Sequence, residues 1–122
     1  MDLWEVEEDK GWLPDLDQLR RLIRPNTKMI CINNANNPTG ALMDAAYLEE
    51  LVAIAKEVDA YIFSDEVYRS FDQPAPSIVD LYEKGIASIV CQRPIPFLVF
   101  VWVGLLLTQR WRIFCVTTAT TR

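Results

Sequence analysis

An α/β fold, a fragment of a mostly parallel sheet with packed helices, is predicted by three observations. Two short apolar runs, Met29-Ile30-Cys31-Ile32 and Tyr61-Ile62-Phe63, do not alternate with polar residues, which suits parallel strands covered on both faces. One helical pattern lies between them. Each run is followed directly by a polar cluster, Asn36-Asn37-Pro38-Thr39-Gly40 after the first and Ser64-Asp65-Glu66-Val67-Tyr68 after the second. Open α/β sheets bind ligands at the carboxyl ends of their strands. The two clusters are therefore the candidate site.

The connection between the runs can be checked by length. Leu48, Leu51, Val52, Ala55 and Val58 recur at helical spacing, with Glu49, Glu50, Lys56 and Glu57 between them. Asp44 has the residue type of an N-cap. A helix from Asp44 to Glu57 would be roughly 20 Å long. A five-residue strand spans about 17 Å. The helix therefore returns the chain to the start of a parallel neighbour through a right-handed crossover. Asn37 and Asp65 then share one edge of the sheet.

Upstream, Leu13-Pro14-Asp15 opens an earlier helix, with Asp15 and Gln18 at capping-box spacing. Leu16, Leu19, Leu22 and Ile23 form its apolar face. Arg20, Arg21 and Arg24 fall late, where they suit the helix dipole. Pro25 and Asn26 end it. Downstream of Tyr68, Asp72-Gln73-Pro74-Ala75-Pro76 reads as a surface loop. Ser77 to Tyr82 reads as a short helix leading into a third strand.

Composition removes several classes of function. The 122 residues make one domain or part of one, and about half of them are hydrophobic, enough for a core. The net charge of −5 and the lack of a basic cluster argue against a nucleic-acid partner. The chain has no histidine, so Ser-His-Asp, Cys-His and histidine–metal sites are excluded. Cys31, Cys91 and Cys115 form no CxxC pair and carry neither a disulfide nor a zinc assignment. Cys31, inside an apolar run, is expected in the core. The acidic start is no signal peptide, and a cytoplasmic location is expected.

Taken singly, Asn-Pro-Thr-Gly also reads as an ordinary turn, because all four residues are turn formers. Asp65-Glu66 also reads as a solvated strand end. Together, Asn-Asn-Pro-Thr-Gly after one strand and Ser-Asp-Glu-Val-Tyr-Arg after the next resemble the pyridoxal-phosphate-dependent aminotransferases of fold type I (class I/II). The resemblance runs from about Asp2 to Ala87. It implies that residues 1–87 are part of the family's large domain and that Met1 begins in mid-fold. By position, Asn37 and Tyr68 would contact the phenolic oxygen of pyridoxal phosphate, and Asp65 would face its pyridine nitrogen. A carboxylate beside that nitrogen favours the protonated ring, the better electron sink. Arg69 and Glu66 are expected to serve structure or solvation. The resemblance also implies a homodimer acting on an amino acid and a 2-oxo acid. A lyase or synthase on the same scaffold is the enzymatic alternative.

At Ser88 the composition changes. All 17 acidic residues precede it, and the segment 88–122 has no Asp, Glu or Lys. Family members would continue with a serine, the Schiff-base lysine and an arginine for the cofactor phosphate. Val90-Cys91-Gln92-Arg93 stands there instead, so no catalytic residue is assigned. The genetic code offers a reason. Reading the third base of each codon with the first two of the next, Ser88 to Gly104 can be written as NSMSKAYSLPGLRLGW. Gln92 as CAA and Arg93 as AGG, for example, yield AAG, lysine. This string resembles the family's lysine motif, with glycine six and arginine eight residues beyond the lysine. The same frame allows HRDYT at the end. The expectation is a frameshift near Ser88, a tail that is irregular or non-native, and a chain that is inactive as written and binds pyridoxal phosphate weakly or not at all.

Two other readings of the tail stand beside this one. Ile95 to Leu107 is a nearly unbroken apolar run, but it contains Pro96 and falls short of the roughly 20 residues of a membrane span. A tail anchor is therefore not expected. A non-enzymatic module that binds a partner is the remaining alternative.

Overall fold

The computed structural model describes the backbone of residues 2–68, 75–95, 98–107 and 116–117, and side chains as far as Ser88. Arg69, Asp72 to Pro74 and the HRDYT-encoding end beyond Thr117 lie outside the described residues.

The first long-range structure is helix α1, Leu16–Leu22, whose N-cap Asp15 accepts a hydrogen bond from the Asp17 amide. Strand β1, Met29–Asn33, follows. Helix α2, Ala45–Glu57, is capped by Asp44, which accepts from the Tyr47 amide, and strand β2 is Tyr61–Asp65. Helix α3, Ile78–Leu81, leads into β3, Gly85–Ile95. Strands β4, Leu98–Leu107, and β5, Val116–Thr117, complete a five-stranded sheet in sequence order.

Strands β1, β2 and β3 run parallel, and the register sets Asn33 against Asp65 and Asp65 against Ser88. The carboxyl ends of β1 and β2 are therefore level, beside Ser88 within β3. The core lies between the sheet and α2. Ile30, Ile32 and Ile62 from the strands meet Leu48, Leu51, Val52, Ile54 and Ala55 from the helix, all buried. Leu19 joins from α1 and Ile78 from α3. Tyr47 pins α2 to the segment before α1, its hydroxyl donating to the Pro14 carbonyl at 2.5 Å. Burial pushes the Tyr47 hydroxyl's pKa upward.

Two expectations are corrected. Cys31 is exposed rather than in the core. Burial alternates along β1 and β2, so Ile30, Ile32, Ile62 and Ser64 face the helix. Met29, Cys31 and Tyr61 face the other way, where among the described residues no second helical layer covers them. An apolar run is compatible with one covered face as well as with two.

The tail is not irregular where its backbone is described. Strand β3 continues past Ser88 to Ile95 and pairs antiparallel with β4, from Ile86–Leu107 to Ile95–Leu98. Strand β5 adds a short antiparallel pair to β4. The physical reason is propensity. Leu98 to Leu107 is rich in β-branched and aromatic residues, which favour a pleated strand whatever their origin.

Candidate functional site

The loop after β1 is shaped by its asparagines. Asn34 is buried and closes the loop at both ends of its amide, donating to the Met43 carbonyl at 3.2 Å and accepting from the Met43 amide at 2.8 Å. Inside that clasp, the Gly40 amide donates to the Asn36 carbonyl at 2.7 Å, and the Asn36 side chain donates to the Thr39 hydroxyl at 2.8 Å. Gly40 has φ +73°, a left-handed conformation that glycine adopts without strain. The Asn37–Pro38 peptide is cis. The result is a tight, internally bonded turn that holds Asn37 outward.

The turn after β2 is anchored from beneath. Glu66 is buried, accepts from the Ser77 hydroxyl at 2.7 Å and from the Ile78 amide at 2.9 Å, and its own amide donates to the Ser88 carbonyl. A single carboxylate thus joins the end of β2 to the start of α3. Its neighbours Asp65 and Tyr68 are free to face the edge of the sheet.

The two loops meet there. Asn37 Nδ2 donates to the Tyr68 hydroxyl oxygen at 2.9 Å, across 31 residues of sequence. An amide has two N–H donors and a phenol has one O–H donor. With one amide hydrogen used in the mutual bond, one amide N–H and the phenol O–H remain to converge on a common acceptor. Both side chains are exposed. Asp65 ends the adjacent strand at the same edge, part-buried, with Oδ1 accepting from the Ser88 hydroxyl at 2.7 Å and from the Val67 amide at 3.3 Å. Oδ2 accepts no hydrogen bond among the described residues. Beside it in register, Asn33 Oδ1 is buried without a partner.

This donor and acceptor set suits an aromatic ring that carries an oxyanion on one side and a protonated nitrogen on another. No group of three or more His, Cys, Asp or Glu side chains that could hold a metal ion occurs among the described residues. No helix among them is long and apolar enough to cross a membrane.

The family model of the class I and II aminotransferases matches residues 1–92. The chain belongs to this family. Pyridoxal phosphate is the cofactor of these aminotransferases, and the parallel sheet with its helices is a piece of their large-domain fold. A PLP-dependent aminotransferase from Streptococcus suis superposes with a TM-score of 0.69 and 71% identity, over 72% of this chain and 24% of that one. Aspartate aminotransferase of Thermotoga maritima superposes with a TM-score of 0.66 and 33% identity, over 73% of this chain and 25% of that one. In sequence, glutamate-pyruvate aminotransferase AlaA of Escherichia coli is 47% identical over 62 residues, 51% of this chain and 15% of that protein. The match thus spans about 15% of the length of this aminotransferase relative.

Three residues support this edge. Asn34 clasps the loop, Glu66 anchors the turn, and Ser88 holds Asp65. Glu66, expected to serve structure or solvation, is buried in a structural role, and its partners Ser77 and Ile78 lie beyond a loop and carry no motif. For Ser88 the signal exists only in the register, because a single serine within a strand has no pattern of its own.

Proposed function

We propose that the edge formed by Asn37, Tyr68 and Asp65 is the ring-holding side of a pyridoxal-phosphate site. The single observation that carries this reading is the Asn37–Tyr68 hydrogen bond, which brings two sequence-distant donors to one place at the strand ends. Bound pyridoxal phosphate supplies an electron sink for charge developing on the substrate's α-carbon. The chain's own groups set the state of the ring. The Asp65 carboxylate would favour a proton on the pyridine nitrogen by charge pairing. Asn37 and Tyr68 would donate to the phenolic oxygen and orient the ring.

The reaction of the whole protein is read as amino-group transfer between an amino acid and a 2-oxo acid. This rests on the relatives, among them the glutamate-pyruvate enzyme and an aspartate/prephenate aminotransferase of Thermus thermophilus, 44% identical over 64 residues. No observation favours a lyase or synthase. The chain as written is read as inactive, because its lysines, Lys10, Lys28, Lys56 and Lys84, lie away from this edge in the fold or sequence. Lys84, for instance, sits at the opposite, amino end of the sheet, paired with Asp59. Loss of one base, or gain of two, near Ser88 would account for the missing lysine.

The test is a paired absorbance titration with pyridoxal phosphate followed by borohydride. The 122-residue chain is expected to show no stoichiometric trapped adduct. A gene corrected in frame near Ser88, supplied with the flanking parts of the family domain, is expected to show one at the restored lysine. A stoichiometric adduct at one lysine of the written chain would contradict the inactive reading. Reading the coding DNA from Gly85 to Arg93 decides the frame independently.

A further inference from the structure

We propose that Ser88 is a positioning residue for Asp65, selecting which carboxylate oxygen is presented to a protonated pyridine ring. This rests on the reading of Asp65 as the ring-nitrogen partner and adds to it the residue that aims it.

The register sets Asn33, Asp65 and Ser88 at one level of three adjacent parallel strands. Residues so paired share a face of the sheet. Ser88 is buried, with 8% of its surface exposed, so its hydroxyl has few alternatives to the carboxylate beside it. It donates to Oδ1 at 2.7 Å, the short distance of a charge-assisted O–H···O⁻ bond. The second donor, the Val67 amide, reaches the same oxygen at 3.3 Å and is the weaker hold. Both donors use Oδ1. Oδ2 is left without one among the described residues, on a part-exposed Asp65 that ends β2 at the edge from which the Tyr68 turn begins. A carboxylate fixed through one oxygen has little freedom about χ1. The other oxygen then stands ready for an incoming N–H donor without reordering, which is where pre-organisation adds affinity.

The test uses the full 122-residue chain and pyridoxine 5′-phosphate. This probe keeps the ring nitrogen, phenolic oxygen and phosphate but lacks the aldehyde, so it cannot condense with the four lysines. Two quantities are measured in the native chain, Ser88→Ala, Ser88→Thr and Asp65→Asn. The first is the set of three-bond couplings that report Asp65 χ1 (not applicable to Asp65→Asn). The second is the dissociation constant of the probe. Amide spectra of β1 and β2 verify that each variant is folded.

One Asp65 rotamer is expected in the native chain and in Ser88→Thr, which keeps the hydroxyl. Averaged couplings are expected in Ser88→Ala, with probe binding weakened roughly three- to tenfold. Unchanged couplings in Ser88→Ala would overturn the inference. So would a probe affinity that falls in Asp65→Asn but not in Ser88→Ala, and in that case the role of Asp65 would survive. A probe that does not bind, or binds Asp65→Asn as well as the native chain, would overturn the reading of Asp65 and the inference with it.

Discussion

Tyr68 is 58% exposed, yet its hydroxyl is fixed by Asn37. The proposed site gives it a role toward a ligand rather than in the core. Tyr68→Phe is expected to leave unfolding by urea unchanged within about 0.5 kcal/mol, as for other exposed substitutions. It should weaken pyridoxine 5′-phosphate roughly tenfold through loss of one donor. Glu66 should behave in the opposite way. Its carboxylate is buried and accepts from Ser77 and Ile78, so Glu66→Ala leaves two buried donors unsatisfied. A loss of about 1–3 kcal/mol is expected in the same urea experiment. A loss at Tyr68 as large as that at Glu66 would mean that the two roles are reversed.

At the scale of the elements, α3 and β3 approach so closely that Gly85 has no room for a side chain. A Cβ there would lie 2.7 Å from the Ile78 carbonyl oxygen and 2.9 Å from that of Tyr82. Both are backbone atoms, so neither can swing aside. Gly85→Ala is expected to destabilise the chain by about 1–3 kcal/mol, the range for overpacking, measured by thermal or urea unfolding. The start of β3 is also tied to the turn after α2 by the Lys84–Asp59 ion pair. The hydrogen bond from Lys84, then its charge, lowers the pKa of Asp59, and the same hydrogen bond raises that of Lys84. The sign of each shift defines a pH window. The Asp59 contribution is present above its unfolded value and lost as pH falls through the lower folded one. The Lys84 contribution is present below its unfolded value and lost as pH rises through the higher folded one. Lys84→Met is therefore expected to flatten the pH dependence of stability at both extremes. The effect is small and screened by salt, because Asp59 is 84% exposed.

The elements were legible where one face decides the pattern. The stripe of Leu48, Leu51, Val52 and Ala55 announced α2, and Asp44 its start. Ile54, three residues after Leu51, belongs to the same stripe and was passed over. That the two motifs meet at one edge was legible because Asn37, Asp65 and Tyr68 stand in two polar clusters whose spacing fits one crossover. The environment of Cys31 was not legible, because an apolar run does not state how many of its faces will be covered. Nor was the hairpin after Ser88. Its apolar run has no helical period and no polar alternation, and only pairing of β3 with β4 resolves it into strands. Ser88 itself became informative only when the register set it beside Asp65.

For the whole molecule, the chain belongs to the class I and II aminotransferases while spanning 24% of the Streptococcus suis enzyme with which it superposes. One face of its parallel strands carries exposed Met29 and Tyr61, at 48% and 46%. Exposed apolar surface on a sheet favours association. The sedimentation coefficient of the isolated chain is expected to rise with concentration, and Met29→Lys should reduce that rise. The most direct test of the ring-holding edge is a nuclear magnetic resonance titration of the 122-residue chain with pyridoxine 5′-phosphate. Saturable shifts are expected at the Asn37 side-chain amide, the Tyr68 ring and the amides flanking Asp65, all with one dissociation constant. Shifts confined to other residues, or their absence up to the solubility limit of the ligand, would contradict the assignment of Asn37, Asp65 and Tyr68.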